Sequence, residues 1–518
     1  MDYTANRPRG YRGQGDSHLP KIIEGLRRVL AETQSRFAYE DLRFPPKQLD
    51  DLAGILVDFA EDIHADIGIW SAYERYNREF FGTALPLAAA PGSDLVAGFC
   101  PERFRHFLWI IYPTYYEELT ISPAHPDLYR MANAACSFLS GAFANVPRNS
   151  GVKLFFESSN EFGWEVKQKL VWLGSQSFLF RKMLPRYVHE HQDSQRSIIS
   201  YVDDFLCQEC TQWSGLGAID ILAGVLDVLE ENRSELRNWY EWHAAYYRVL
   251  SVGRQTLVAQ NVINDQPYQI RVGVAPNPFR RGQMVIGNLV PWRGEWYWSG
   301  EQQTWDADRG LDVEDLKRDM KRRHSKIVCR YSQEYEAQVR ERATIMHERM
   351  LAFHGGQDLV IYPDGLAMAS DWQKEIQEQW EAQSREVRHD VSQKHELQDG
   401  PPQVNLPQEL LLEKDGLGVF VNPDEGKEVM TQFKILVSSL KKWGRRTTAE
   451  EKSVIRGFIE SPAISPRFVT RVLDQYGSDS VKAAFELKGD LPIYWLDYLL
   501  RTRKGRYYRK CYPSLSVI

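Results

Sequence analysis

The sequence predicts a predominantly helical, multidomain α+β protein with a small antiparallel β-barrel in the middle of the chain. Three observations carry that expectation. The chain has 518 residues, 43% of them hydrophobic and 26% charged, enough for several cores at roughly 150 residues per domain. Apolar residues recur at helical spacing through about the first 250 positions. Between Leu257 and Ser299 the text breaks into short β-branched and aromatic runs separated by turn residues.

Residues 1–16 are polar and rich in glycine and arginine, and read as a disordered N-terminus. A helical region follows over 17–250. Leu19, Ile22, Ile23, Leu26, Val29 and Leu30 make one stripe, and after Pro45-Pro46 the set Leu49, Leu52, Ile55, Leu56, Phe59 and Ile63 makes another. Aromatic-rich helical text continues through Tyr73 to Phe81, Phe104 to Ile111 and Ile219 to Leu229, and the stretch Arg237 to Leu250 reads as the last helix of the region.

The barrel is expected over 251–304, with strands at Leu257 to Ile263, Tyr268 to Val274, Met284 to Val290 and Glu295 to Ser299. Tyr268, Ile270 and Val272 alternate with Gln269 and Arg271, so one face is dry and the other wet. A charged helical connector is assigned to 305–398, containing a short strand at Leu359 to Tyr362 and a helix through Trp372, Ile376 and Trp380. Residues 399–408, with Asp399-Gly400-Pro401-Pro402, read as a linker. The C-terminal α+β unit, 409–518, opens with a hairpin signal in which Leu410 to Leu412 and Gly418 to Val421 flank Asp415-Gly416; a helix is expected over Val429 to Leu440. Thr448-Ala449-Glu450-Glu451 is a capping box, because the Thr hydroxyl and the Glu three residues later can satisfy free N–H groups at a helix start.

Composition excludes several classes. The longest apolar runs, Phe107 to Tyr112 and Ile219 to Leu226, fall far short of the roughly 20 residues that span a bilayer. The first residues lack the apolar stretch of a secretory signal. Six cysteines without a regular framework point to free thiols in a reducing compartment, so a cytoplasmic location is expected. Net charge is −6, yet residues 401–518 alone carry +5. Any basic site is therefore local.

The chemical motifs are sparse. His189 and His191 followed by Cys207 and Cys210 could offer two imidazoles and two thiolates to tetrahedral zinc, and a metal-dependent hydrolase is a function they would serve. The spacing departs from that of zinc fingers, so packed free thiols are the alternative and no cofactor is expected. Glu61 and His64 share a helix face as in di-metal bundles, but the other such pair, Glu386 and His389, falls in a different part of the chain. No GxSxG, GxxxxGK[ST] or GxGxxG is present, so no catalytic residue is assigned.

Two runs join cations to aromatic rings. Arg280-Arg281-Gly282 precedes one strand, and Trp292, Arg293, Trp296 and Trp298 lie at the turn and on the strand that follow. Guanidinium groups beside aromatic faces suit single-stranded nucleic acid or a proline-rich peptide; packing inside the barrel or against the helical region is the other reading. At the C-terminus Arg501, Arg503, Lys504, Arg506, Arg509 and Lys510 fall within ten residues with no acid among them.

The segment Gly282-Gln-Met-Val-Ile-Gly-Asn-Leu-Val-Pro-Trp-Arg-Gly-Glu-Trp-Tyr-Trp-Ser-Gly300 resembles a small β-barrel segment of large uncharacterised bacterial proteins, some of which carry a zinc motif like that at the C-terminus of SecA. The tight cysteine cluster of that motif is absent here, so metal binding is not carried over, and the resemblance implies a prokaryotic cytosolic protein of unassigned function. The expected function is that of a non-enzymatic interaction or scaffold protein whose barrel and basic tail contact a protein or nucleic-acid partner, a protein being favoured. The alternative is a nucleic-acid-binding protein that uses the barrel aromatics and the C-terminal basic run, and no membrane partner is expected.

Overall fold

The structure, a computed structural model, describes the chain except residues 1–5, 87–96, 117–120, 192–196, 212–213, 242, 263–264, 274–276, 307–311, 316–332, 395–399, 424–425, 443–446, 488–494 and 509–518. Two compact units result: Met1–Tyr331 with Lys488–Tyr498 and Tyr508–Ile518, and Ser332–Leu487 with Leu499–Tyr507. Among the described residues no helix is long and apolar enough to cross a membrane.

The first unit opens with a helical body. Its helices are α1 (Leu19–Gln34), α2 (Pro46–Ala65), α3 (Ile69–Phe81), α4 (Pro101–Ile111), α5 (Pro126–Phe143), α6 (Gly151–Glu157), α7 (Gly163–Gln176), α8 (Met183–Glu190), α9 (Ile198–Gln208), α10 (Ala218–Val225) and α11 (Glu230–Arg237). The stripes expected on α1 and α2 mark the buried faces, with Ile23, Val29 and Ile63 half-buried at their margins, and Leu26, Leu30, Leu52, Ile55, Leu56 and Phe59 have no exposed surface. Phe59 is the centre of the packing: its ring stacks on Phe107 at 4.4 Å and meets Trp70 edge-on at 4.9 Å. Proline at the start of α2, α4 and α5 occupies the turn whose N–H groups have no helical partner, and the Ser150 and Ser197 hydroxyls accept from the first N–H groups of α6 and α9.

The N-terminal segment from residue 6 is ordered, contrary to the expectation of a disordered 1–16. Arg7 forms a two-pronged pair with Glu61 at 2.6 Å and 2.6 Å and a third bond to Asp16 at 2.7 Å. Asp16 also accepts from the backbone N–H of Gly13 and of Gly151. The guanidinium thus fixes a polar segment that apolar patterning would leave loose.

A five-stranded mixed sheet follows: β1 (His243–Val252), β2 (Thr256–Asn261), β3 (Pro267–Arg271), β4 (Met284–Trp292) and β5 (Glu295–Trp305). Pairing runs β1-β2-β3-β5-β4 and closes on itself through β1 and β4. The first three strands form consecutive hairpins and β4 returns beside β1, a Greek key that β5 seals. Two expectations are corrected. β3 and β5 run parallel, so the sheet is not purely antiparallel. The segment expected to be the last helix supplies β1, because Ala245, Tyr247 and Val249 are buried while Arg248 and Leu250 between and after them are exposed, a period of two. The interior is filled by Tyr247, Val249, Leu257, Ala259, Tyr268, Ile270, Val285 and Leu289, with Trp296 and Trp298 packed against them.

In the second unit, α12 (Gln333–Phe353) precedes β6 (Leu359–Tyr362), α13 (Gly365–Glu381), α14 (Arg385–Lys394), α15 (Gln408–Leu411), β7 (Leu417–Asn422), β8 (Gly426–Met430), α16 (Phe433–Leu440), α17 (Ala449–Glu460), α18 (Pro466–Tyr476) and α19 (Asp479–Ala484). β6 pairs with β7, and β7 with β8, all antiparallel. This pairing draws the strand of the expected connector into the same unit as the C-terminal α+β elements. The expected linker is packed as well: the Gln373 side chain donates to the Pro402 carbonyl at 3.3 Å and accepts from the Val404 N–H at 2.9 Å. The hairpin is formed by β7 and β8, whereas Gln408–Leu411 is helical. The capping box at Thr448 forms as expected, with Glu451 N–H donating to the Thr hydroxyl and Thr448 N–H to the Glu451 carboxylate.

Candidate functional site

The residues singled out around β4 and β5 divide between the interior of the closed sheet, the helical body and solvent. Trp296 and Trp298 point inward: the Trp298 ring lies edge-on to Tyr247 at 5.4 Å, and Trp296 edge-on to Tyr268 at 5.0 Å. Trp292 points to the helical body, has no exposed surface, and its indole N–H donates to the Asn160 carbonyl at 3.0 Å. Trp292 has no face open for stacking, and Trp296 and Trp298, half-buried, are turned to the interior of the closed sheet. Arg293 and Gly294 form the two-residue turn between β4 and β5 with φ of 51° and 76°, the left-handed pair a tight hairpin requires. Glu235 on α11 accepts from both N–H groups, at 2.5 Å and 3.3 Å. Arg293 thus serves through its backbone, held in a conformation that an L residue adopts at a cost of about 1 kcal/mol or more.

The rest of this docked face is equally saturated. Trp239 donates to the Pro291 carbonyl at 2.6 Å. Arg271 pairs with Glu295 at 3.1 Å and lies over the Phe162 ring, and Tyr297 donates to Glu295 at 2.9 Å. Burial and the Glu295 carboxylate together push the Tyr297 phenol well above its ordinary range. Tyr297 lies flat on Gly163, where a Cβ would stand only 2.6 Å from its ring. Behind the interface Lys169, 1% exposed, donates to Phe156 O, Ser158 O, Ser159 O and Asn160 Oδ1 at 2.6 to 3.1 Å. That ammonium folds the loop whose Asn160 carbonyl receives Trp292, and burial pushes its pKa down to about 8.

Arg280 and Arg281 are exposed, in a segment clamped to the end of β1: Gly282 N–H donates to Val249 O at 2.8 Å and Val249 N–H to Gln283 O at 2.9 Å. The Asn277 side chain ties the same segment to the β1–β2 turn through Gly253 O and Thr256 O, each at 3.2 Å. These bonds gather Arg248 on β1, Arg254 in the turn, Arg280 and Arg281 into one corner, all four exposed. None of the four guanidinium groups has an ion-pair or hydrogen-bond partner among the described residues. Sequence reasoning found Arg280 and Arg281 but missed Arg248 and Arg254. The alternation of Ala245, Tyr247 and Val249 with Tyr246 and Arg248 was the available signal.

The C-terminal basic run is placed differently. Lys504 is 2% exposed and its ammonium donates to Ser461 O at 2.8 Å, at the end of α17, while Arg503 pairs with Glu460 at 3.6 Å. Cations at a helix C-terminus satisfy its last carbonyls, so these two serve the fold. Arg501 is half-buried, and the Arg506 side chain, Arg509 and Lys510 lie outside the described residues.

The residues considered for zinc do not converge. His189 and His191 are exposed, and His191 stacks on Tyr187 at 4.1 Å. Cys207 and Cys210 are buried free thiols, Cys207 donating to the Trp239 carbonyl at 3.7 Å. Among the described residues no three His, Cys, Asp or Glu side chains are grouped as metal ligands. Of the pair on α2, Glu61 is taken by Arg7, and His64 Nε2 lies 2.8 Å from the Val146 carbonyl.

These features define a helical body carrying a docked Greek-key sheet with an open arginine corner. Residues 46–207, which span α2 to the end of α9 and stop before the closed sheet, match a family model described as "Protein of unknown function (DUF3843)". No curated protein and no solved structure matches the chain.

Proposed function

We propose that this chain is a binding protein whose closed sheet receives a phosphate-bearing polyanion at the corner of Arg248, Arg254, Arg280 and Arg281. The observation that supports the reading is that all four guanidinium groups are exposed and unpaired among the described residues, whereas Arg271, Arg103 and Arg181 of the same unit each hold a carboxylate. Like charges gathered on one corner repel one another, and a bound polyanion relieves that repulsion. Greek-key barrels of five strands bind oligonucleotides and oligosaccharides on strands two and three and on the loops after strands one and four. Here the β4–β5 turn is committed to Glu235, which leaves the β1–β2 turn and the neighbouring outer surface to the ligand. A cytoplasmic setting, in which Cys100, Cys136, Cys207 and Cys210 stay reduced, accords with this reading.

The test is binding of fluorescent polyphosphate to the full chain across a salt series. Affinity should fall as salt rises, and the R254A/R280A/R281A variant should show a shallower salt slope, by about one unit per cation lost. Absence of binding at low ionic strength, or a slope indifferent to these arginines, refutes the proposal.

A further inference from the structure

We infer that the polyanion is a single-stranded nucleic acid whose bases stack on Tyr246 and Trp305 while its phosphates meet the arginine corner. The inference rests on the anion-binding reading above and adds what the register of the closed sheet places on its outer surface. Trp305 on β5 is opposite Met284 on β4, Met284 opposite Arg248 on β1, Arg248 opposite Gln260 on β2, and Gln260 opposite Pro267 on β3. Directly paired residues share a face, and Tyr247, Val249, Val285 and Ala259 on either side of this row fill the interior. The row therefore faces outward.

Tyr246, two residues before Arg248, shares that face, and its ring stands edge-on to Trp305 at 6.1 Å. Both rings are half-buried, with Ile286 and Gln303 opposite Tyr246 in the next row. The outer surface thus combines two half-buried aromatic rings, the part-exposed Ile286 beside a buried Met284, uncharged amides at Gln260 and Gln303, and the guanidinium of Arg248. No carboxylate lies in either row. From Trp305 to Arg248 is two strand spacings, about 10 Å, so rings and cation can engage one nucleotide and its neighbour. A duplex buries its bases and cannot use the rings, and a purely acidic peptide such as polyglutamate has no aromatic ring to lay on them. A single strand uses both halves of the surface.

The experiment measures anisotropy of a labelled deoxythymidine oligomer of about 16 nucleotides with the full chain, in parallel with duplex DNA of equal length, polyglutamate and inorganic polyphosphate. The single strand should bind most tightly. Y246A and W305A should each weaken it on the order of tenfold while leaving polyphosphate affinity unchanged, and Y246F and W305F should retain most of the binding. Thermal melts of each variant establish that the fold persists. Duplex or polyglutamate binding as tightly as the single strand, or Y246F and W305F losing as much as the alanine variants, overturns the inference. If polyphosphate binds through the arginines and the oligomer does no better, only this inference falls. If polyphosphate fails to bind as well, the anion-binding reading has failed with it.

Discussion

The two sides of the closed sheet are made from the same residue types and have opposite fates. On the docked side Trp292, Tyr297, Arg271 and Trp239 each have a hydrogen-bond or ionic partner, and Trp292 and Tyr297 are at most 2% exposed. On the open side Arg248, Arg254, Arg280 and Arg281 have none among the described residues, and Tyr246 and Trp305 keep part of their rings in solvent. An arginine–aromatic run in a sequence carries no functional meaning until the partners of its polar atoms are known. A guanidinium beside a carboxylate is neutralised locally. One without a partner projects its charge to whatever approaches.

Removing the anchor of the docked side should have the largest effect. Trp292→Ala deletes a side chain with no exposed surface and leaves the Asn160 carbonyl without its donor, so it is expected to destabilise the first unit by about 3–5 kcal/mol in denaturant unfolding. A loss below about 1 kcal/mol would show that the sheet is not docked as described.

A second test asks whether the helical body that carries the docked side loosens in acid. His106 on α4 is 1% exposed, rings of Trp70, Tyr73 and Trp109 surround it, and burial, reinforced by Arg105, pushes its pKa down to about 3. The unfolded chain takes up that proton near the ordinary value of 6.5. Stability from this group is complete above that value and is lost as pH falls from 6.5 towards 3, at about 1.4 kcal/mol per pH unit. Melting temperatures of the native protein and of His106→Phe should therefore diverge between neutral and acidic pH, with the variant less sensitive. Parallel curves would contradict the assignment.

If Arg293 serves the β4–β5 turn through its left-handed backbone and not through its charge, Arg293→Asn should raise stability by about 0.5–1 kcal/mol and leave polyphosphate binding unaltered. Weakened binding would instead move Arg293 from the docked side to the open one.

The helical body was legible because its stripes repeat over many turns: Leu19, Ile22, Leu26 and Leu30 on α1 are buried as their spacing requires. The Thr448 box was legible because a cap is a local event, complete within four residues. β1 was misread since its flanking Trp239 and Tyr240 are aromatic in the manner of the preceding helices, and period two becomes decisive only once the partners β2 and β4 exist. Half of the arginine corner was found, and half was missed because Arg248 and Arg281 are 33 positions apart in the chain. The pairing of β1 with β4, the bonds of Val249 with Gly282 and Gln283 and those of Asn277 with the β1–β2 turn bring them together.

By itself the sequence determined the locally encoded features: a predominantly helical chain, a change to strands after the body, helix caps, and the residue types available for binding. Burial period and capping act over a few residues, so a single chain segment suffices to state them. The tertiary structure alone decided which cations are spent on the fold and which remain open. It gave Arg7 to Glu61, Lys169 to four oxygens and Lys504 to the end of α17, and it left Arg248, Arg254, Arg280 and Arg281 facing solvent. A charge is silenced by a partner within about 4 Å, and that partner can lie anywhere along the chain.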